Sequence, residues 1–203
     1  MGFVFVMALG LYVLISIAVV AGAVKYAKKH NKSVERWGWG ATFGMYLLVF
    51  WDWIPTVVTH KHYCSTEAGF WVYKMPKQWE SENSGVLESL VANKGAPSAR
   101  VGDMQNYVDT YFLNQRIHWL VKHSGPFLIN LWKHEQEVVD SKTNEVLARY
   151  VDFSTSQERQ QSGWSGWKFW LYSGLIGDRY CSGGSTNKEK LRMFRNHFMG
   201  NEK

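Results

Sequence analysis

The sequence lacks the short motifs by which the common reaction classes are recognised. No Gly-x-Ser-x-Gly elbow of a serine hydrolase is present. The run Gly183-Gly184-Ser185 lacks the spacing of a phosphate-binding loop, and no lysine follows at the position that such a loop requires. Glu135 and Glu137 lie two apart on a predicted strand, and paired acids can hydrolyse glycosides. On a hairpin such acids more often form a charged surface that resists aggregation. An enzyme is therefore the less favoured interpretation.

Positive charge is concentrated in one short segment. The chain carries 23 Lys and Arg against 17 Asp and Glu, a net charge of +6. Residues 25–36 hold five basic residues and one acid, namely Lys25, Lys28, Lys29, Lys32, Arg36 and Glu35. From residue 60 onward the two signs nearly balance, and no basic stripe with interleaved aromatic residues is present. We therefore expect no nucleic-acid partner.

No charge interrupts the first long apolar run, residues 3–24. A bilayer core requires about 20 apolar residues in a helix, so this run is long enough to span. A cleavable signal peptide is the alternative, because Ala21-Gly22-Ala23 loosely matches a cleavage site. The positive charge that should precede such an apolar core is missing, since the lysines follow it. An uncleaved anchor is favoured, and the mean hydropathy of −0.27 for the whole chain excludes a polytopic transporter.

A second apolar segment, residues 37–58, carries tryptophan at both ends. Tryptophan concentrates at membrane–water interfaces, so we interpret four residues as membrane anchors: Trp37, Trp39, Trp51 and Trp53. The two segments predict a transmembrane helical hairpin over residues 1–59. Its spans lie at about 3–24 and 37–58, with a basic cytoplasmic link at 25–36. The N-terminus and residues 60–203 then lie on the periplasmic side of a bacterial inner membrane. The lipids of this membrane are the expected partners of the helical hairpin.

Asp52 is the one acid within the second apolar segment. An ionisable group deep in a bilayer is costly and is usually functional. Asp52 lies between two tryptophans and three residues before Pro55. We favour a helix that bends or ends near Pro55, which lets Asp52 reach the water of the headgroup region. A buried partner or a proton-handling role is the alternative.

The chain has only two cysteines, Cys64 and Cys181, and both lie in the part assigned to the periplasm. Oxidising compartments favour disulfides, so we predict that the two pair. The alternative is a metal site formed by His60, His62 and Cys64, which would share one face if the chain left the membrane as an extended segment. Imidazole and thiolate suit zinc and copper. No cofactor is predicted beyond this alternative metal ion.

Residues 60–203 predict a small α+β domain with an antiparallel β-meander and flanking helices. Alternating residues predict a strand at 115–123, broken by Ser124-Gly125-Pro126. A hairpin follows within 127–153, with its turn at Asp140–Glu145. The other predicted elements are a strand at 67–74, a short helix from Pro76, a polar loop at 95–103, a helix at 103–113, a polar connection at 154–166, a strand within 167–177 and a final helix with Leu191, Phe194 and Phe198 on one face. A strand is the alternative for 103–113, because Tyr, Val and Thr also suit a strand. A segment that lies on the membrane surface is the alternative for 167–177, because tryptophan recurs every three residues at Trp164, Trp167 and Trp170.

These features predict a non-catalytic protein that is anchored in the inner membrane. Its disulfide-linked periplasmic domain would be presented to a protein partner in the envelope. The role would be that of an accessory subunit of a membrane complex, or of an exclusion factor of a phage or mobile element. A metal or redox protein with a His/Cys site at the outer membrane–water interface is one alternative, and a hydrolase of envelope polymers is another.

Overall fold

The computed structural model of the chain describes residues 2–93, 98–155, 180–181 and 183–199. The described residues fall into two compact units. The first unit runs as far as Pro55, and the second begins at Thr56. The predicted connection at 154–166 and the predicted strand at 167–177 lie almost wholly outside the described residues.

The first unit is an antiparallel helical hairpin. Helix α1, Gly2–Lys29, and helix α2, Val34–Phe50, are joined by a short turn in which Asn31 has φ +50°. Ser33 caps α2 by accepting a hydrogen bond from the backbone N–H of Arg36. Near the turn the rings of Tyr26 and Trp37 lie 5.1 Å apart, and Lys32 lies over both rings. The hydroxyl of Tyr12 donates to the carbonyl of Met45 farther along the hairpin.

The structure has, in the part of the chain that it describes, one helix that is long and apolar enough to span a membrane, and it does not confirm the second predicted span. Among the described residues, α1 is long and apolar enough to cross a membrane. The predicted single helix over 37–58 is instead two helices, α2 and α3, the latter spanning Trp53–Thr66, with a bend of 62° between them. The break falls at residues 51–52, just before Pro55. Proline fits the first turn of α3 because the N–H groups there have no intrahelical partner. The bend expected near Pro55 is confirmed, but the predicted second span is not.

The second unit is built on one six-stranded antiparallel sheet with the order β1-β6-β5-β4-β3-β2. Its strands are β1 Gly69–Val72, β2 Ser98–Gly102, β3 Tyr107–Phe112, β4 Ile117–Leu128, β5 Leu131–Asp140 and β6 Glu145–Ser154. Its helices are the last part of α3, α4 Pro76–Glu82, α5 Val86–Ser89 and α6 Gly184–His197. The α+β class and the antiparallel sheet agree with the sequence prediction.

The predicted hairpin is confirmed as β5 and β6. Asp140 pairs with Glu145 across the turn, and Asn144 adopts the left-handed conformation with φ +57°. The short strand β1 and the helix that begins at Pro76 also match their predictions.

Two sequence predictions in the centre of the domain are wrong. Residues 107–112 form β3 rather than a helix, and residues 98–102, expected to be a loop, form β2. The side chain of Asp103 accepts hydrogen bonds from the N–H groups of Gln105 and Asn106, which closes the turn between the two strands. The strand β4 also continues through the expected break at Gly125 and Pro126, where its register with β5 shifts.

The larger hydrophobic core lies between the sheet and helices α4 and α6. Trp79 of α4 packs edge-to-face on Phe198 with ring centroids 5.4 Å apart. Leu191, Phe194 and Phe198 are buried in this core, which confirms the apolar face predicted for the last helix. A second, smaller core joins the end of α3 to the sheet through Tyr63 and Phe153. This smaller core holds the cysteine pair.

Candidate functional site

The end of helix α3 positions one half of the cysteine pair. Cys64 lies in the last turns of α3, and Cys181 follows the isolated bridge between Tyr180 and Ser154 at the end of β6. The two sulfur atoms lie at disulfide-bonding distance, with the Cα atoms 5.2 Å apart. Cys181 is buried and Cys64 is partly exposed. The predicted cysteine pair is therefore present in the fold.

His60 joins the cysteine pair, whereas His62 does not. The sequence analysis assumed an extended segment, but residues 53–66 are helical. In a helix, residues four apart share a face and residues two apart do not. His60 is accordingly buried with its Nε2 atom 3.4 Å from the Cys64 sulfur, while His62 is exposed. The ligand set His60, His62 and Cys64 is corrected to His60, Cys64 and Cys181, whose donor atoms all lie within 4.8 Å of one another.

The carboxylate of Asp152 fixes the position of Cys181. Its Oδ1 atom accepts hydrogen bonds from the N–H groups of Cys181, at 3.0 Å, and of Phe153, at 2.8 Å. Its Oδ2 atom accepts from the hydroxyl of Tyr150 at 2.7 Å. Burial and the neighbouring Asp152 carboxylate raise the pKa of Tyr150, so the phenol stays a neutral donor.

Asp52 is buried in the first unit, contrary to the expectation that it reaches headgroup water. It lies in the two-residue break between α2 and α3, while Pro55 is partly buried in the first turn of α3. Three of the four predicted tryptophan anchors are exposed, namely Trp37, Trp39 and Trp51, and Trp53 is partly exposed. Exposed indole rings on an apolar hairpin are consistent with the predicted interfacial role.

A polar chain that the sequence analysis did not find crosses β4, β5 and β6. His123 and His134 are directly opposite each other, with their Nδ1 atoms 2.9 Å apart. The Nε2 atom of His134 lies 2.6 Å from the hydroxyl oxygen of Ser154. The ring of Tyr107 stacks on His123 with centroids 4.6 Å apart. The register of β4 with β5 shifts between Ser124 and Leu128, so the turn at Asn130 does not by itself place His123 opposite His134.

One arrangement of protons satisfies both of these contacts. If Ser154 donates to Nε2 of His134, then His134 carries its proton on Nδ1 and donates to Nδ1 of His123. A hydroxyl, an imidazole and a third group that orients the imidazole follow one another in the same order in the catalytic triad of a hydrolase. Ser154 is completely buried in the structure, unlike the exposed nucleophile of such a triad. We therefore interpret these contacts as hydrogen bonds that support the packing of the sheet.

Glu135 and Glu137 lie on the same face of β5, but they do not face solvent as expected. Both side chains are largely buried beneath basic residues of the neighbouring strands. Arg149 contacts Glu135 at 2.9 Å, and Lys122 contacts Glu137 at 2.5 Å. Burial raises the pKa of Glu135, but the hydrogen bonds with Arg149 and Glu137 and the charge of Lys133 outweigh it and lower the pKa to about 2. Glu135 is therefore held in its ionised form and is poorly suited to be the proton donor of such a pair.

The chain matches no protein-family model, and comparisons with curated proteins and with solved structures find no similar protein. The class is therefore defined by the structure alone. The protein combines an N-terminal apolar helix with an α+β domain on a six-stranded antiparallel sheet that contains a cysteine pair at disulfide distance.

Proposed function

We propose that the protein is a non-catalytic module of the bacterial inner membrane that presents its periplasmic domain to a protein partner in the envelope. Helix α1 anchors the chain in the lipid, and α2 with α3 returns it across the bilayer. The domain that follows serves as an accessory subunit of a membrane complex, or as an exclusion factor of a phage or mobile element. Metal is not required for this role.

The observation that carries the proposal is the combination of an exposed apolar α1 with a cysteine pair in the second unit. The side chains of Leu14 and Ile17 in the middle of α1 are 66% and 61% exposed within the structure. Aliphatic groups on a helix of this length are stable when lipid covers them. Cysteines at disulfide distance are typical of oxidising compartments, including the periplasm. The two features together support a domain delivered to the outer side of the membrane.

Strand β2 is the surface on which we place the partner. It is the last strand in the sheet order, and all five of its residues are exposed. Val101 is 73% exposed, and Met104 in the following turn is 80% exposed. Among the described strands β2 has one paired neighbour, and an edge strand with apolar side chains can pair with an extended segment of another protein. The proposed occupant is therefore an extended segment of the partner.

Photo-crosslinking in cells tests this proposal. A photoreactive amino acid replaces Val101, and in a matched variant it replaces Met193 of α6, which is exposed at 59%. We expect a specific adduct from position 101 and none from position 193, and mass spectrometry of the adduct identifies the partner. A protein that is monomeric in mild detergent and gives no adduct at either position would contradict the proposal.

The two roles differ in the phenotype of a deletion strain. Loss of an accessory subunit would reduce the recovery of the partner's intact membrane complex. Loss of an exclusion factor would leave host complexes intact and would restore entry of phage or conjugative DNA. The same Val101 variants, scored in both assays, separate the two roles.

A further inference from the structure

The buried cluster of His60, Cys64 and Cys181 has the donor atoms of a metal site that is closed in the oxidised protein. The Nε2 atom of His60 lies 3.4 Å from the Cys64 sulfur. It also lies 3.3 Å from the carbonyl oxygen of Phe153, which is a long hydrogen bond. While the sulfurs are bonded to each other they are not thiolates, and thiolates are the form that binds metal.

We propose that reduction of the cysteine pair opens a zinc site at His60, Cys64 and Cys181. Zinc sites with an open position use three protein ligands and a water molecule. Zn–S distances of about 2.3 Å and Zn–N distances of about 2.0–2.1 Å place tetrahedral ligand atoms about 3.5–3.8 Å apart. The separation between His60 and Cys64 is already close to that value, and the two bonded sulfurs must move apart before the site can form.

The surroundings of the cluster favour Zn²⁺ over a monovalent ion. The cysteines lie among apolar side chains of the smaller core, including Leu131, Val151 and Phe153. A net charge is costly in such surroundings. Two thiolates, one neutral imidazole and Zn²⁺ carry no net charge together, whereas Cu⁺ in the same site would leave one negative charge.

The redox step uses a dithiol as its reductant. A thiolate of the dithiol attacks the partly exposed Cys64 and releases Cys181 as a thiolate. The second thiol of the reductant then displaces Cys64, so the dithiol becomes a disulfide and the protein gains two electrons and two protons. Binding of Zn²⁺ releases the two thiol protons, and His60 binds with its proton on Nδ1. This inference does not depend on the proposed partner.

Zinc titration of the full chain in detergent tests the inference. Oxidised protein and protein reduced without oxygen are titrated with Zn²⁺ in competition with a chromophoric chelator. We expect one Zn²⁺ per reduced chain and none per oxidised chain. In the reduced protein, His60→Gln should lower the affinity at least about tenfold, the scale expected for loss of a group that supports a metal. His62→Gln is the matched control and should bind like the parent, because His62 is exposed on another face of α3.

Three outcomes overturn the inference. They are the absence of zinc binding by the reduced chain, equal affinity in the His60→Gln variant, and equal binding by the oxidised chain. Circular dichroism monitors folding in each sample. A reduced chain that unfolds and regains its structure when Zn²⁺ is added supports the site, whereas one that stays unfolded with Zn²⁺ contradicts it. In the folded variants, Co²⁺ should show the visible absorption of a tetrahedral thiolate site only where Zn²⁺ binds.

Discussion

The carboxylate of Asp140 is held by several donors inside the larger core. Trp79 donates from its indole nitrogen at 2.9 Å, and Arg116 donates from Nε at 3.0 Å. The backbone N–H of Lys142 adds a third donor at 3.0 Å. Burial raises the pKa of Asp140, but the bonds from Arg116 and Trp79 outweigh it and lower the pKa. Asp140 therefore joins α4, the start of β4 and the hairpin turn.

We predict that Asp140→Asn destabilises the domain by about 3–5 kcal/mol, because it leaves the largely buried Arg116 without its counter-charge. Urea unfolding followed by tryptophan fluorescence measures the change. Glu189→Gln is the control, since it removes an exposed ion pair with Arg192 on α6 and should change the stability by less than about 1 kcal/mol. Equal effects of the two substitutions would show that the Asp140 network adds little.

The lowered pKa of Glu135 predicts how the free energy of unfolding depends on pH. Its pKa is about 2 in the folded protein, below the ordinary value of 4.5. The unfolded chain therefore takes up a proton at higher pH than the folded chain does. The stability that Glu135 contributes is complete above about pH 4.5 and is lost as the pH falls toward 2. We expect the free energy of unfolding to fall across this window.

The measurement is urea unfolding at several pH values in the parent and in Glu135→Gln. The variant lacks the titrating group, so its stability should fall less steeply between pH 4.5 and pH 2. Parallel curves for the two proteins would mean that the ion pairs with Arg149 and Lys133 do not persist in solution.

At the scale of single elements, the turn between β5 and β6 depends on the conformation of one residue. Asn144 has φ +57°, a region that β-branched residues avoid and glycine tolerates. We expect Asn144→Val to destabilise the domain by about 1–2 kcal/mol. Asn144→Gly should have an effect close to zero. Thermal unfolding of the two variants measures the difference, and equal melting temperatures would contradict it.

Elements with local signals could be predicted from the sequence, and elements defined by distant pairing could not. The β5–β6 hairpin has its own turn residues, and the last helix has its own apolar face. Strand β3 was mistaken for a helix because Met104, Tyr107, Val108 and Tyr111 also fit a helical spacing. Its identity depends on pairing with β4, from His123 opposite Tyr107 to His118 opposite Phe112. Tertiary context therefore decided the conformation.

The candidate site, too, could be predicted only in part from the sequence. The pairing of Cys64 with Cys181 was predicted from their number and from the compartment that the sequence predicts. The role of His60 required knowing that α3 continues through residue 66, which places His60 and Cys64 on one face. The contact between His123 and His134 required the register of two strands. Both facts come from the fold and not from any local pattern.

At the scale of the whole molecule, the direction of insertion is the property on which the proposed function depends. Positively charged segments beside apolar helices stay in the cytoplasm. Four lysines and one arginine lie at the turn of the α1–α2 hairpin, against one glutamate. We therefore expect the turn to lie in the cytosol and the C-terminus in the periplasm. The expectation requires α2 and α3 to cross together, because among the described residues only the pair is long enough for a second span.

Two reporters fused to the C-terminus test this orientation. Alkaline phosphatase folds only in the periplasm and should be active, whereas green fluorescent protein exported through the same route should be dark. Replacement of Lys25, Lys28, Lys29 and Lys32 by glutamine removes the charge bias, so it should weaken or invert both signals. The matched control replaces four exposed lysines of the second unit, Lys77, Lys142, Lys188 and Lys190, and should leave both signals unchanged. Bright fluorescence with inactive phosphatase in the parent would mean that α2 and α3 do not cross the bilayer. The cysteine pair would then face a reducing compartment, in which thiols persist and a zinc site needs no added reductant.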